Sequence, residues 1–109
     1  MPKEFDANET ARAVDEALEF ILEKVAEGVH RTVVLASPVG DPRLWQNPEN
    51  APPGYVGGTF RSNWRVGVGS APAGEVGVEP ASVTLQKGAL TIRTQVVDTK
   101  KSVFIVNNL

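Results

Sequence analysis

The chain has 109 residues, of which 41% are hydrophobic and 22% charged, and a formal net charge of −2. This length predicts one domain, residues 1–109, with a single modest core, and the composition is typical of a soluble globular protein. The lack of cysteine excludes disulfides, thiolate nucleophiles and Cys-ligated zinc. No apolar run approaches the roughly 20 residues that cross a bilayer, and the acidic amino terminus does not resemble a secretion signal, which predicts a cytoplasmic location.

The charges are distributed unevenly along the chain. Residues 1–28 carry eight acidic and three basic side chains, whereas the remaining residues carry five acidic and eight basic ones. The acids at Asp15, Glu16, Glu19 and Glu23 have helical spacing without a second ligand cluster, which is more typical of a solvated helix face than of a metal site. A molecule polarised in this way can also meet copies of itself through complementary ends.

The first predicted element is a long amphipathic helix over about residues 8–36. Asp6 and Glu9 fit a capping box at its start. Pro38 sets its end, because the residue before a proline is disfavoured in the α conformation. Apolar side chains recur between these limits at spacings of three and four, at Val14, Leu18, Ile21, Leu22, Val25, Val29 and Val33.

The predicted helix is long for a protein of this size. At 1.5 Å per residue it extends roughly 40 Å, which is more than a core this small covers. We predict that Leu18, Ile21 and Val25 belong to the core, and that another part of the helix meets a second subunit.

Residues 37–61 predict an ordered loop rather than a free linker. Five of the eight prolines, both tryptophans and the single tyrosine lie between residues 37 and 70. Exposed aromatic rings are uncommon in free linkers, because they gain nothing there and promote association. Trp45 and Tyr55, held by neighbouring prolines, are therefore candidates for a subunit or partner interface, and the alternative is that they fold back onto the helix of their own chain.

A strand is predicted over residues 62–69, where apolar and other residues alternate. This alternation places Trp64 in the core and Arg61 and Arg65 on the opposite face, where they meet a partner or a carboxylate. Base stacking by Trp64 between the two arginines is disfavoured by the acidic pI of about 5.4.

The carboxy-terminal third contains one ambiguous segment and one clear strand. A Gly-, Pro- and Ala-rich loop follows residue 69, and residues 81–97 then fit either a hairpin turning at Lys87 and Gly88 or a helix. The Thr and Val content favours strands. Residues 102–107 predict a short central strand with Phe104 in the core.

Several motifs occur in a characteristic order along the chain. They are PVGDP (38–42), LW (44–45), APPGY (51–55), GG (57–58), RSNW (61–64) and VFIVNN (103–108). After a long amphipathic helix, this order resembles the neck and tail-completion family of long-tailed bacteriophages. The resemblance covers most of the chain and is most specific over residues 55–64. Relatives continue past the VFIVNN strand with a Pro-Tyr-Ala segment that this sequence does not contain.

The resemblance implies an α+β fold, with the long helix packed on a small, mostly antiparallel sheet and a second helix over residues 81–97. It implies a virion structural protein, either a tail terminator or a head-to-tail joining subunit, that assembles in the host cytoplasm as a ring of six copies. The implied partners are the tail tube protein and the head connector proteins, and DNA passes through the channel without specific recognition.

The residue inventory does not favour an enzyme, a cofactor site or a metal site. His30 is interpreted as a surface or partly packed side chain on the helix, and Ser37, Ser62 and Ser70 belong to no nucleophile motif. The glycines at 67 and 69 lack a phosphate-binding pattern. The alternative to ring assembly is a small regulatory or host-directed binding module that grips its target with the aromatic loop.

Overall fold

The long amino-terminal helix is confirmed and is the largest element of the fold. The computed structural model describes residues 6–40, 46–50, 53, 57–97 and 100–109. Helix α1 spans Ala7–Ala36, and Asp6 caps it, because its carboxylate accepts hydrogen bonds from the backbone amides of Asn8 and Glu9 at 3.0 and 3.1 Å. The helix ends just before Pro38, as predicted.

Short helices and strands follow α1 and complete an α+β fold. In chain order they are a 3₁₀ turn at Pro48–Asn50, α2 at Thr59–Ser62, β1 at Trp64–Val68, α3 at Ala81–Gln95 and β2 at Val103–Asn107. Residues 81–97 thus contain a helix and not a hairpin, against their composition and in agreement with the resemblance. The predicted strand over 62–69 is too long, because Ser62 ends α2 and Asn63 follows as its carboxy-terminal cap.

The two strands in the described part of the chain pair antiparallel. Trp64 lies opposite Asn107 and Val68 opposite Val103, and a bond of 2.8 Å from the Gly69 amide to the Ser102 carbonyl extends the ladder. Every residue of both strands is half-buried. The sheet is therefore a small platform that α1 and α3 cover from one side, with Val66, Val68 and Val103 packed against the core.

The core forms where α1 and α3 run side by side in opposite directions. Each helix presents a row of side chains four residues apart, and these rows face each other. The row on α1 is Leu22, Ala26, His30 and Val34, and the row on α3 is Thr84, Gly88 and Ile92, continued by Val96 at its carboxy-terminal cap. Among the described residues, the buried hydrophobic side chains are Ala26, Val34, Ile92 and Val96, which form a small core.

His30 corrects the sequence interpretation, because it lies inside the core and not at the surface. It is 2% exposed, and its Nε2 lies 2.8 Å from the carbonyl oxygen of Trp64, which only accepts hydrogen bonds, so Nε2–H is the donor. The imidazole lies directly against Gly88, where a methyl group would overlap ring atoms Cε1 and Nδ1. His30 therefore joins α1, α3 and β1 at one point.

The prediction that three α1 residues belong to the core is wrong. Leu18, Ile21 and Val25 are 47%, 54% and 57% exposed. They carry the right periodicity but lie on the side of the helix away from α3 and the sheet, because the inward row begins one residue further on, at Leu22. Trp64 and Phe104 are half-buried. Phe104 lies opposite Gly67, on the other face of the sheet from Val66, Val68 and Val103, so the prediction that Phe104 belongs to the core is wrong.

The polypeptide is elongated. Its radius of gyration is 19.7 Å, compared with about 13 Å for a compact domain of this length. Residues 7–18 of α1 are all exposed, so the amino-terminal half of the helix projects from the part formed by α3 and the sheet.

The contact between His30 and Gly88 predicts that Gly88→Ala destabilises the fold by about 1–3 kcal/mol, because the new methyl group overpacks the core although alanine favours helix. Gly28→Ala is the matched control, since a methyl group added at this position of α1 would have nothing within 4 Å. We expect it to be neutral or stabilising by up to about 1 kcal/mol. Urea unfolding measures both, and equal stability of the two variants would contradict this packing.

Candidate assembly surface

The most prominent surface feature is an apolar stripe along α1. It consists of Val14, Leu18, Ile21, Val25 and Val29, which are between 45% and 57% exposed. The stripe is centred about 120° around α1 from the row that faces α3. Helix α1 therefore has two apolar faces, and the described part of the chain covers one of them.

The spacing of the stripe is that of a helix packed along another element. Val14, Leu18, Ile21 and Val25 alternate steps of four and three residues, which is the heptad pattern of helices in lengthwise contact. Single exposed apolar side chains are ordinary, but a continuous stripe marks an interaction site. Periodicity alone finds these residues in the sequence, but it assigns them to the wrong face.

A second open surface is a groove of about 540 Å³ between α1 and α3. Leu85, Ala89 and Leu90 give it an apolar wall, and Leu90 is 64% exposed. His30 lies at its floor, and Arg31 and Arg93 lie at its rim. The groove thus combines an apolar interior with basic side chains at the edge.

One ion pair crosses the groove. Arg93 Nε donates to Glu27 Oε1 at 2.9 Å, and Nη2 lies 3.5 Å from Oε2. The hydrogen bond to Glu27, supported by the charges of Glu27 and Glu23, raises the pKa of the Arg93 guanidinium. Because this pair is exposed to solvent, it contributes little to folding stability. The Arg93 guanidinium stays at the rim of the groove.

The arginines predicted for an interface do not share a strand face. Arg61 belongs to α2 and not to β1, and its Nε is buried without a hydrogen-bond partner among the described residues. Arg65 is half-buried, and its Nη1 donates to the carbonyl of Ala73 at 2.7 Å and to that of Gly74 at 3.4 Å. Arg65 thus binds its own chain, and the prediction of a shared outward face is wrong because the strand begins at Trp64.

Trp64 connects the sheet to the end of α1. Its Nε1 donates to Ser37 Oγ at 2.7 Å, and its ring lies edge-on to Phe60 with centroids 5.9 Å apart. The indole therefore has a structural role, as its sequence context predicts. Trp45 and Tyr55, the other predicted interface residues, lie outside the described residues.

The segment between β1 and α3 is held by buried polar side chains. Asn63 pairs with the backbone of Val76 in both directions, at 2.8 and 3.0 Å, and Ser62 Oγ accepts from the Glu79 amide at 3.0 Å. Glu79 in turn binds Thr84 Oγ1 at 2.9 Å and Lys87 Nζ at 2.6 Å. This network fixes the start of α3 against α2, and so fixes the α3 wall of the groove.

Sequence reasoning misses several of these positions. It places Asn63 and Ser62 in a strand, His30 at the surface or partly packed, and Gly88 in a possible turn. A signal for the last two is present, since a glycine inside a helical pattern often marks a close approach of another group. The groove itself depends on tertiary packing and has no local signature.

Within the described ranges, no group of three or more His, Cys, Asp or Glu side chains is arranged to hold a metal ion. No described helix is both long and apolar enough to span a membrane. The one histidine is committed to its core hydrogen bond.

Comparisons with protein-family models, with curated proteins and with solved structures gave no significant match.

The Glu79 network predicts a specific pH dependence. Burial raises the pKa of Glu79, but hydrogen bonds from Lys87 and Thr84 and the charge of Lys87 outweigh it and lower the pKa below the ordinary value of 4.5. The carboxylate therefore contributes stability that is fully present above about pH 5 and is lost as the pH falls through the lowered pKa. We expect Glu79→Gln to be less stable at neutral pH and to lose less stability on acidification than the wild type.

Urea unfolding from pH 7 to pH 3 measures this difference. Glu16→Gln, which removes an exposed carboxylate from α1, is the control. If the two variants had identical pH profiles, the assigned role of Glu79 would be contradicted.

Proposed function

We propose that this chain is a structural subunit that works by packing against copies of itself, as a tail terminator or head-to-tail joining subunit in the neck of a long-tailed bacteriophage. The observation that carries the proposal is the exposed apolar stripe on α1. A helix with a solvated outer face would not carry a continuous stripe of five large aliphatic side chains, four of them in heptad spacing.

The small core supports self-assembly. Burial of an aliphatic side chain contributes about 1.5–3 kcal/mol, so covering the exposed halves of the stripe contributes on the order of 1 kcal/mol for each residue. A subunit with few fully buried hydrophobic side chains gains substantially from such a contact. Assembly then supplies burial that the isolated chain lacks.

The order of sequence motifs supports the phage context. A ring of six copies would present its two faces to the tail tube protein and to the head connector proteins. DNA would pass through the channel without specific recognition. Ring closure would also set the number of copies, because a closed cyclic assembly leaves no free end for growth. The protein would act without catalysis and without a cofactor, as part of the virion.

The alternative is a regulatory or host-directed binding module that uses the aromatic loop. It depends on Trp45 and Tyr55, which lie outside the described residues. The exposed apolar stripe on α1 is the specific observation that favours self-assembly.

Self-assembly predicts that the purified chain forms a discrete oligomer and that Leu18→Glu weakens it by about 100-fold or more, because a carboxylate in the contact costs roughly 3 kcal/mol. Phe20→Glu is the matched control. Phe20 is 59% exposed and lies two residues away, on a different face of α1. It is expected to leave the assembly intact.

Analytical ultracentrifugation over a concentration series measures both variants. Open-ended filaments of the wild type, or equal weakening by both substitutions, would contradict the proposal.

A further inference from the structure

The two open apolar surfaces lie on opposite sides of α1. At 3.6 residues per turn, the α1 residues that line the groove (Glu27, His30 and Arg31) stand about 120° to 160° around the helix from the centre of the stripe. One surface is convex, since it is a ridge on a projecting helix. The other is concave, since it lies between two helices.

The projecting part of α1, residues 7–21, is called the arm here. It extends roughly 22 Å and carries Val14, Leu18 and Ile21 of the stripe. It also carries four acidic side chains against one basic one, which gives a net charge of −3. Among the acids, Asp15 directly follows Val14 and stands three residues before Leu18, so it borders the stripe.

The groove complements the arm in shape and in charge. Leu85, Ala89 and Leu90 offer an apolar wall, and the volume of about 540 Å³ is many times the roughly 30 Å³ share of a water molecule. Arg31 and Arg93 form a basic rim, where Glu27 pairs with Arg93. An acidic amphipathic helix that inserts here would bury its aliphatic row and place Asp15 near this rim.

We propose that the arm of one copy docks into the groove between α1 and α3 of the next copy, so that subunits join head to tail. This inference rests on the proposed self-assembly and names its two surfaces. Because the surfaces differ and lie on opposite sides of the molecule, the contact is heterologous, and repetition of one such contact generates a ring when the rotation closes. A two-fold contact between two stripes would leave the groove empty.

Disulfide trapping tests the contact, because the chain contains no cysteine of its own. Ala17→Cys places a thiol on the arm beside the stripe, and Gln86→Cys places one at the groove, both at exposed positions. Under mild oxidation, a mixture of the two variants is expected to form a cross-linked heterodimer about tenfold faster or more than either variant alone, since docking raises the effective thiol concentration. A chain with both substitutions is expected to give a ladder that ends at the ring size.

Glu16→Cys is the matched control, since it lies on the arm but on the opposite face from the stripe. Its mixture with Gln86→Cys is expected to cross-link no faster than the single variants do. If Ala17→Cys alone cross-linked as fast as the mixture, the contact would be stripe to stripe, and the head-to-tail arrangement would be overturned.

Wild-type sedimentation, measured in parallel, separates the two proposals. An oligomer without cross-linking between positions 17 and 86 would overturn the docking of arm and groove and leave self-assembly standing. A monomer without this cross-link would overturn both.

Charge exchange gives a second readout that does not depend on thiol geometry. Asp15→Arg and Arg31→Asp are each expected to weaken the oligomer, and the chain that carries both is expected to recover at least part of the loss. Additive losses in the double variant would contradict the proposed contact between Asp15 and Arg31 of adjacent copies.

Discussion

The fold depends on the mismatch between the length of α1 and the small size of what packs on it. Thirty residues extend about 45 Å, whereas α3 and the sheet cover one face of the carboxy-terminal half. The remaining surface of α1 is exposed, yet it carries aliphatic side chains in heptad spacing. This mismatch gives both the elongated shape and the surface on which the proposed function rests.

A small core keeps its geometry here through close contacts and polar pairing. The imidazole of His30 lies against Gly88 and donates to the Trp64 carbonyl, so one side chain sets the separation of α1 and α3 and the position of β1. Asn63 provides the backbone of Val76 with a donor and an acceptor, as a neighbouring strand would. These contacts fix how α1, α3 and β1 pack together, and the groove lies between the two helices.

The sequence predicts elements better than it predicts faces. The limits of α1 follow from local chemistry, since Asp6 and Pro38 act on adjacent residues. The inward face does not, because Leu22 and Ile21 belong to rows that have the same helical spacing, and only the position of α3 distinguishes them. Composition also misreads α3, because Thr84 and Ile92 are favoured in strands but here form the row that faces α1. In the sequence, Gly88 resembles a turn residue. In the structure it is a helix residue that has to lack a side chain, because the His30 ring occupies that space.

Amide hydrogen exchange across a concentration series tests most directly whether the arm depends on a partner. In the dilute subunit, amides of residues 7–21 are expected to exchange rapidly, and those of residues 22–36 are expected to be protected by α3 and the sheet. At high concentration the arm is expected to gain protection together with the α3 wall of the groove, because docking covers both. Equal protection of the arm at every concentration would contradict the account.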